Sequence, residues 1–440
     1  MYSMILNEDK IIIEIDTIII GGGISAIFVG LEFINKGFND FVILEKEDRP
    51  GGLCRSFQFG ELYYDLGAHA LHKQAILSSD KLRETINPNK LYCQKRKAKV
   101  FIFDKLIPHP FQLHIFYAPM NIKLKCFYGY LVKKNIMPGN LKEWLLSKFG
   151  KQVCEYFLFP YNEKAWRTDL SNISLNWINR VSAGNSKFIK GLFFKGDKNY
   201  SSNEFVCYPS NGGFENLFSD GIKKLSSFIK INEEVIGVDL ENKLVQVKNG
   251  VVYHYDKLIS TVPIDILVTR LIETKDNEII KLVSGLEKVS TCIVTFLTTK
   301  QSTDLQRVYV PEKKYLSQRI TINSNSSGFF KEKSESLFSL EISYKKRNDL
   351  PAEDIIIDDC KKLLKDVGLV KSNNDIKNFK IEFFEYMYPT QTVRLDNIIL
   401  QTKSYLQKYD CYTIGRFGSW NYANIDGILD EGIELIDKYF

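Results

Sequence analysis

The sequence predicts an α/β fold: a Rossmann-like dinucleotide-binding domain that carries a mainly helical domain and an antiparallel β-sheet domain. Three observations predict it. A short, mostly β-branched run, Ile15-Asp16-Thr17-Ile18-Ile19-Ile20, leads directly into Gly21-Gly22-Gly23. A segment with helical spacing follows, and then a second apolar run, Phe41-Val42-Ile43-Leu44, closed by Glu45. Further on, strand-like runs recur between residues 288 and 346, the pattern of an antiparallel sheet.

Taken in order, residues 1–9 read as a short leader before the first strand. The apolar stretch Ile11–Leu31 is no membrane anchor, because Glu14, Asp16 and three glycines interrupt it. Ile24, Ile27, Phe28, Leu31 and Ile34 recur with helical period, and Gly37 stops the helix. This strand, helix and second strand make one βαβ unit, so residues 10–75 read as the first part of the nucleotide domain. Residues 76–205 are aromatic and Lys-rich, with helices expected at Leu141–Phe149 and Val153–Phe159, and read as a domain that covers a ligand. In 206–285 β character returns: Ile236–Leu240 and Leu244–Val247 flank a turn at Glu241-Asn242-Lys243, and Val251–His254 leads to a buried run at Leu258–Val262. Residues 286–400 hold strand-like Thr291–Thr298, Gln306–Val310, Arg319–Asn323 and Leu337–Tyr344, then a helix over Glu353–Val367. Residues 401–440 end the chain with a strand at Cys411–Ile414 and a helix from Gly427 to Lys438. The nucleotide domain is therefore discontinuous, built from 10–75, 206–285 and 401–440.

Composition narrows the function classes. With 44% hydrophobic and 25% charged residues the chain is that of a globular protein able to bury a large core. A net charge of +6 without a dense Lys/Arg stripe points to an anionic ligand and away from nucleic acid. The eight cysteines form no CxxC pair and no secretory signal precedes them, so they are expected as reduced thiols of a cytoplasmic protein. The five histidines do not group with them at zinc spacings, so no metal site is expected.

The chemistry begins at Gly21-x-Gly23-x-x-Ala26 and Gly30. Gly21 permits a tight turn, Gly23 lets backbone approach a pyrophosphate, and Ala26 and Gly30 let the helix lie close to the strand. The helix N-terminus offers free N–H groups to phosphate. Glu45, at the end of the second strand, suits ribose hydroxyls. After it comes Arg49-Pro50-Gly51-Gly52-Leu53-Cys54-Arg55-Ser56. These paired glycines let backbone lie along a cofactor as extended as FAD, and Arg55 can meet phosphate or a flavin edge.

On these residues the N-terminal block resembles the glutathione-reductase-type FAD proteins, a group that includes amine oxidases, protoporphyrinogen oxidases and UDP-galactopyranose mutases. Four further segments look most like the mutases. Asp65-Leu66-Gly67-Ala68-His69-Ala70-Leu71-His72 resembles a Gly-Pro-His-x-x-His run beside the flavin, with Ala68 in place of the proline. Phe159-Pro160-Tyr161-Asn162-Glu163-Lys164-Ala165-Trp166, continuing to Trp177 and Arg180, resembles a Tyr-x-Glu-Lys-x-Trp segment of the substrate domain. A tryptophan there can stack on a base or sugar, and Arg180 suits a phosphate. Arg319-Ile320 looks like a Tyr-x-Arg-Ile whose arginine grips the diphosphate, although Tyr315 lies further away than in that pattern. Gly415-Arg416-Phe417-Gly418-Ser419-Trp420-Asn421-Tyr422 is similar to a Gly-Arg-Leu-x-x-Tyr-x-Tyr run, with Trp420 where a tyrosine stands. Tyr208-Pro209-x-x-Gly212-Gly213-Phe214 and Tyr388-Pro389 also match and are expected around the flavin ring, whereas His109, His114 and His254 match nothing.

The resemblance implies bound FAD, reduced for activity. Gly21, Gly23, Ile24, Ser25, Glu45 and Lys46 would hold one end of it. Gly52, Leu53, Arg55, Gly67, His69 and Val235 would follow along its length, and Gly415, Arg416, Asn424 and Ile425 would complete its site. His69, Trp166, Arg180, Arg319, Trp420 and Tyr422 would serve catalysis. It implies a pyranose–furanose mutase acting on a UDP- or dTDP-linked sugar, with N5 of reduced flavin as nucleophile at the anomeric carbon. A reductant such as NAD(P)H would be needed, and a homodimer is compatible. A second reading is an FAD-dependent oxidoreductase of the amine-oxidase or protoporphyrinogen-oxidase type. A third is a non-catalytic flavoprotein that binds glycan precursors.

Overall fold

The computed structural model describes residues 4–7, 10–86, 88–181, 185–195, 205–273 and 276–440. Its first sheet is organised by two long strands. Lys10–Ile20 pairs in parallel with Phe41–Leu44 on one side and with Val252–Ser260 on the other. Ile229–Lys230 extends the sheet in parallel beyond Phe41–Leu44. Strand Val252–Ser260 forks. Its first half pairs antiparallel with Leu244–Val247, and its last three residues pair in parallel with Cys411–Thr413. The beginning, middle and end of the chain thus meet in one sheet. Ile18, Ile19, Val42, Ile43, Leu258 and Ile259 are wholly buried, which is why these strands are apolar throughout rather than alternating. The residues read as a leader instead contribute a strand, Met4–Asn7, that folds back on Lys10–Ile13.

Helix Ile24–Asn35 crosses between the first two parallel strands and packs on the terminal helix Ile425–Tyr439, with Gly432 close to Val29. The runs expected as Val251–His254 and Leu258–Val262 form one continuous strand.

The second sheet has seven strands. In spatial order they are Ile376–Pro389, Lys288–Thr299, Glu335–Tyr344, Arg319–Ile322, Arg307–Tyr309, Ala98–Ile102 and Lys105–Pro108. All pairs are antiparallel except Arg307–Tyr309 with Ala98–Ile102. Three of these strands differ from expectation. Ile376–Pro389 carries Lys377, Lys380, Glu382 and Glu385 on a sheet edge, and these charges hide its β pattern. Ala98–Ile102 and Lys105–Pro108 lie inside the region read as mainly helical. The apolar buried residues there are Val100, Phe101 and Ile102 in the first strand and Ile107 in the second, runs too short to stand out beside lysines. Helix Glu353–Asp366 covers the sheet with Ile356, Cys360, Leu363 and Leu364.

The helical region packs around Phe111, Leu113, Leu145, Phe149, Phe157 and Phe188. Helix Leu141–Phe149 appears with the bounds expected. The segment after it runs from Lys151 to Trp166 and widens to π geometry over Cys154–Leu158. Pro160 has no N–H to give to the preceding turn, and the wider turn accommodates that loss.

One expectation is corrected. Cys93 and Cys207 form a disulfide, whereas all eight cysteines were expected as thiols. The cause is register: strand Phe205–Pro209 pairs antiparallel with Leu91–Lys95, and Cys207 stands opposite Cys93. Partners 114 residues apart have no local signature. Titration of thiols in denaturant without reductant should therefore count six free cysteines, at Cys54, Cys126, Cys154, Cys292, Cys360 and Cys411. A count of eight would show the pair reduced.

Candidate functional site

The two glycine segments read separately in the sequence form one backbone surface. Gly51 N–H donates to Gly22 O at 2.8 Å, and Gly23 and Gly51 bridge in parallel. Gly52 has φ +53°, and a Cβ on it would stand 3.2 Å from the Gly23 Cα. Gly21 has φ +90°, and a side chain there would press on Thr261 Oγ1 at 2.6 Å. No other residue tolerates both demands. Gly23 caps helix Ile24–Asn35 without a side-chain bond, and nothing lies within 4 Å of where its Cβ would be. Open space at an uncapped helix N-terminus suits a phosphate. Ile24 and Ser25 begin that helix, buried against the core.

Glu45 lies beside this loop, 6% exposed, and accepts from Gly22 N–H at 2.6 Å and Glu47 N–H at 2.9 Å. Its carboxylate is fixed at the sheet's carboxyl edge, where a ribose can reach it. Val235 is half-buried nearby, two residues after Glu233, whose N–H bonds Glu45 O. Lys46 is exposed and pairs with Glu47. Arg55 is turned toward Glu47 and Asp48, at 3.6 and 3.8 Å, while Leu53 packs on the core of the first sheet.

The C-terminal segment closes on the same helix. Gly415 has φ +87°, its N–H donates to Glu431 Oε2 at 2.9 Å, and a Cβ on it would collide with Ser25 Oγ. Arg416 lies 5.0 Å from the Tyr422 ring centre and reaches Ala423 O. Asn424 and Ile425 open the terminal helix, two residues earlier than the expected Gly427. A glycine cradle, an uncapped helix end, a fixed carboxylate and a second helix start fit an extended dinucleotide cofactor.

His69 is placed by a buried carboxylate. Asp65 accepts from Ser56 Oγ at 2.5 Å, Tyr208 OH at 2.8 Å and Phe214 N–H at 3.1 Å, tying the Ser56–Asp65 hairpin to the distant Tyr208–Phe214 segment. Burial raises its carboxyl to about 6, against the pull of those bonds. Phe214, so held, stacks on the His69 ring at 5.0 Å. His69 Nδ1 is buried with no partner. Burial first, then Arg416, Arg307 and Arg319, push the imidazole down to about 3, so it is neutral at physiological pH. His72 instead joins a short strand against Val206.

Arg319, expected to grip a diphosphate, is already engaged. Its Nε donates to Glu341 Oε1 at 2.9 Å, its Nη2 bonds Glu341 Oε2, and Nη2 also reaches Tyr388 OH at 2.7 Å. Glu341 is wholly buried, and Tyr388 OH donates to it at 2.9 Å. Cross-strand register explains this, because Tyr309, Arg319 and Glu341 are successive partners on one face of the sheet. Arg307, two residues from Tyr309 and on the same face, donates to Ala68 O at 2.7 Å and so touches the His69 loop.

Around that row the structure gathers residues the sequence did not single out. Arg96 lies within electrostatic reach of Arg307, Tyr309 and Arg319, and burial with that crowding brings it down to about 10. Burial would raise the Tyr309 phenol, but Arg96, Arg307 and Arg319 outweigh it and bring it to about 8. His109, given no role above, stacks on Tyr309 at 4.2 Å and is held near 3 by burial and Arg96. Arg96 is flanked by lysines and His109 by prolines, so neither carries a motif.

The aromatic expectations divide. Tyr422 stacks on Tyr388 at 5.6 Å and meets Trp177 at 5.1 Å and Trp166 at 5.9 Å. Trp166 is 4% exposed and packs edge-on against Trp177, while Trp177 and Tyr422 are only partly buried. Trp420 is a correction. It is fully buried, its backbone is left-handed (φ 50°), and its indole donates to Glu287 O at 3.0 Å between Tyr386 and Phe417. It supports the loop from behind and does not face the site. Arg180 ends the turn Leu175–Arg180, and its side chain lies outside the described residues.

Gly415→Ala should cost about 1–3 kcal/mol, because it forces a Cβ at positive φ into Ser25. The purified variant should show a reduced flavin-to-protein absorbance ratio and a lower Tm. Full flavin content would exclude a tight approach at this point.

Known structures agree with this architecture. A reduced UDP-galactopyranose mutase is similar at a TM-score of 0.88 and 24% identity, over 96% of this chain and 93% of that one. A protein described as a protoporphyrinogen oxidase, from Exiguobacterium sp. 255-15, gives 0.73 and 14%, over 96% and 98%. Putrescine oxidase bound to putrescine gives 0.68 and 12%, over 97% and 99%. At these identities the likeness establishes the fold. The model of the flavin containing amine oxidoreductases matches residues 32–356, most of the sequence. With a dinucleotide cradle of the right shape and a family match of that extent, the chain belongs to the flavin containing amine oxidoreductase family.

Proposed function

We propose that this flavoprotein is a pyranose–furanose mutase acting on a nucleoside-diphosphate sugar. The observation that carries the reading is the charge of the substrate-side cluster. Arg96, Arg307 and Arg319 lie within electrostatic reach of one another and of Tyr309, and the buried Glu341 pairs with Arg319, which leaves the charges of Arg96 and Arg307 uncompensated by it. A diphosphate diester carries about two negative charges and accepts guanidinium forks well. An amine substrate would instead be repelled. The 24% identity to the reduced UDP-galactopyranose mutase is consistent with this reading.

When bound and reduced, the flavin supplies the nucleophile. The chain's own residues do the rest. Arg96 and Arg307 hold the diphosphate and keep the leaving group near after its bond breaks, so its return is unimolecular. Arg319, locked by Glu341, contributes field and positions Tyr388. Tyr388, Tyr422 and Trp177 form an aromatic wall that orients the sugar and excludes water. Neutral His69 can donate or accept a hydrogen bond at the ring without adding charge.

Two measurements test this. Protein reduced with dithionite and given UDP- or dTDP-sugars without oxygen should yield ring-contracted product with no net redox change. Turnover that consumes oxygen or another acceptor in stoichiometric amount would assign oxidoreductase chemistry instead. Secondly, phenolate at Tyr309 removes positive charge from an anion site, so nucleoside-diphosphate affinity should fall as pH rises through about 8. Tyr309→Phe should abolish that inflection, and Arg307→Ala should weaken binding by about 2 kcal/mol while flavin stays bound. An unchanged pH profile in Tyr309→Phe would remove Tyr309 from the site.

A further inference from the structure

The helical region leaves a large apolar surface uncovered. Helix Met120–Leu131 buries Ile122, Cys126 and Gly129 on one side. On the other it exposes Met120, Leu124, Tyr128 and Leu131, between 61% and 65% each, at helical spacing. Val132, Ile136 and Met137, which is 98% exposed, continue from its end. Helix Asn185–Phe193 buries Phe188 and Leu192 and exposes Ile189 and Phe193, with Phe194 beyond them. Phe127 and Phe193 touch at 5.1 Å, which joins the two helices into one face. Half of the large hydrophobic side chains exposed anywhere among the described residues lie here. Isolated exposed apolar residues need no explanation, but a contiguous patch marks an interaction surface.

The charge around this face selects its partner. Lys125, Lys134, Lys187, Lys190 and Lys195 are exposed around it, and Lys123 and Lys133 stand half-buried within it. From Lys105 to Lys142, and again from Val181 to Gly196, the sequence has no Asp or Glu. A second copy in a two-fold contact centred on this face would meet it with the same face, bringing lysines against lysines with no acid in either segment. An anionic bilayer matches both features: it takes apolar side chains into its interfacial zone and holds lysines at the headgroups. No helix among the described residues is long and apolar enough to cross a membrane, so the contact is peripheral.

We propose that the face formed by Met120–Met137 and Ile189–Lys195 docks the protein onto an anionic lipid surface. The test uses the purified full chain with its flavin and sedimentation with vesicles of phosphatidylcholine alone or mixed with phosphatidylglycerol. Binding should appear with the phosphatidylglycerol vesicles and be largely lost in about 0.5 M salt, because these charges are screened. Lys125→Glu combined with Lys134→Glu should lower partitioning by about tenfold or more, and Leu124→Ser with Leu131→Ser should lower it further. All four side chains are at the surface, so flavin content and Tm should stay at the parent value. Absence of binding to phosphatidylglycerol vesicles, or binding unaltered by both double variants, would overturn the proposal. So would a dimer in light scattering that Leu124→Ser with Leu131→Ser dissociates while vesicle binding is absent, since the occupant would then be a second copy.

Discussion

The face of the second sheet around Arg319 depends on one buried ion pair. Glu341 is fully enclosed, and a carboxylate there is tolerable only while Arg319 and Tyr388 saturate it. Removing one partner of such a pair costs about 3–5 kcal/mol. The pair decides more than stability. It engages the Arg319 guanidinium with protein, whereas Arg307 reaches the Ala68 carbonyl. It also sets Tyr388, on which Tyr422 stacks, so this carboxylate helps register the end of the chain against the second sheet.

The cofactor side depends on a different constraint, which is distance of approach. Where Gly52 lies over Gly23 and Gly415 lies against Ser25, three regions of the chain come together with no room for side chains. Backbone rather than side chains therefore lines the cradle, and its donors stay available to phosphate. Asp65 links the two halves of the site. It gathers Ser56, Tyr208 and Phe214 around itself and in doing so delivers His69, stacked on Phe214, to the meeting point of Arg307, Arg319 and Arg416. The imidazole is neutral because it is buried, and the three guanidinium groups nearby add to that effect.

Trp420 and Trp166 are both buried: Trp420 lies in the core of the first sheet, and Trp166 packs against Trp177 and Tyr422. The large buried surface of tryptophan makes it a support for a loop as readily as a ligand platform.

The amino-acid sequence by itself determined the dinucleotide unit: strand, glycine turn, helix, second strand and Glu45 are local features, each set by residues a few positions apart. It also revealed Gly51-Gly52, the His69 run and the Gly415–Ile425 segment, because glycines and aromatics at close spacing carry their own signature. It did not reveal what depends on register. That Glu341 stands opposite Arg319, that Tyr309 completes their row, that Cys207 faces Cys93, and that Arg96 and His109 come close to Tyr309 follow from strand pairings between residues far apart. Such pairings are chosen by the burial of whole sheet faces, and no local stretch of sequence encodes them. Tertiary structure alone decided that Arg319 is engaged by Glu341 and that Arg307 reaches the His69 loop.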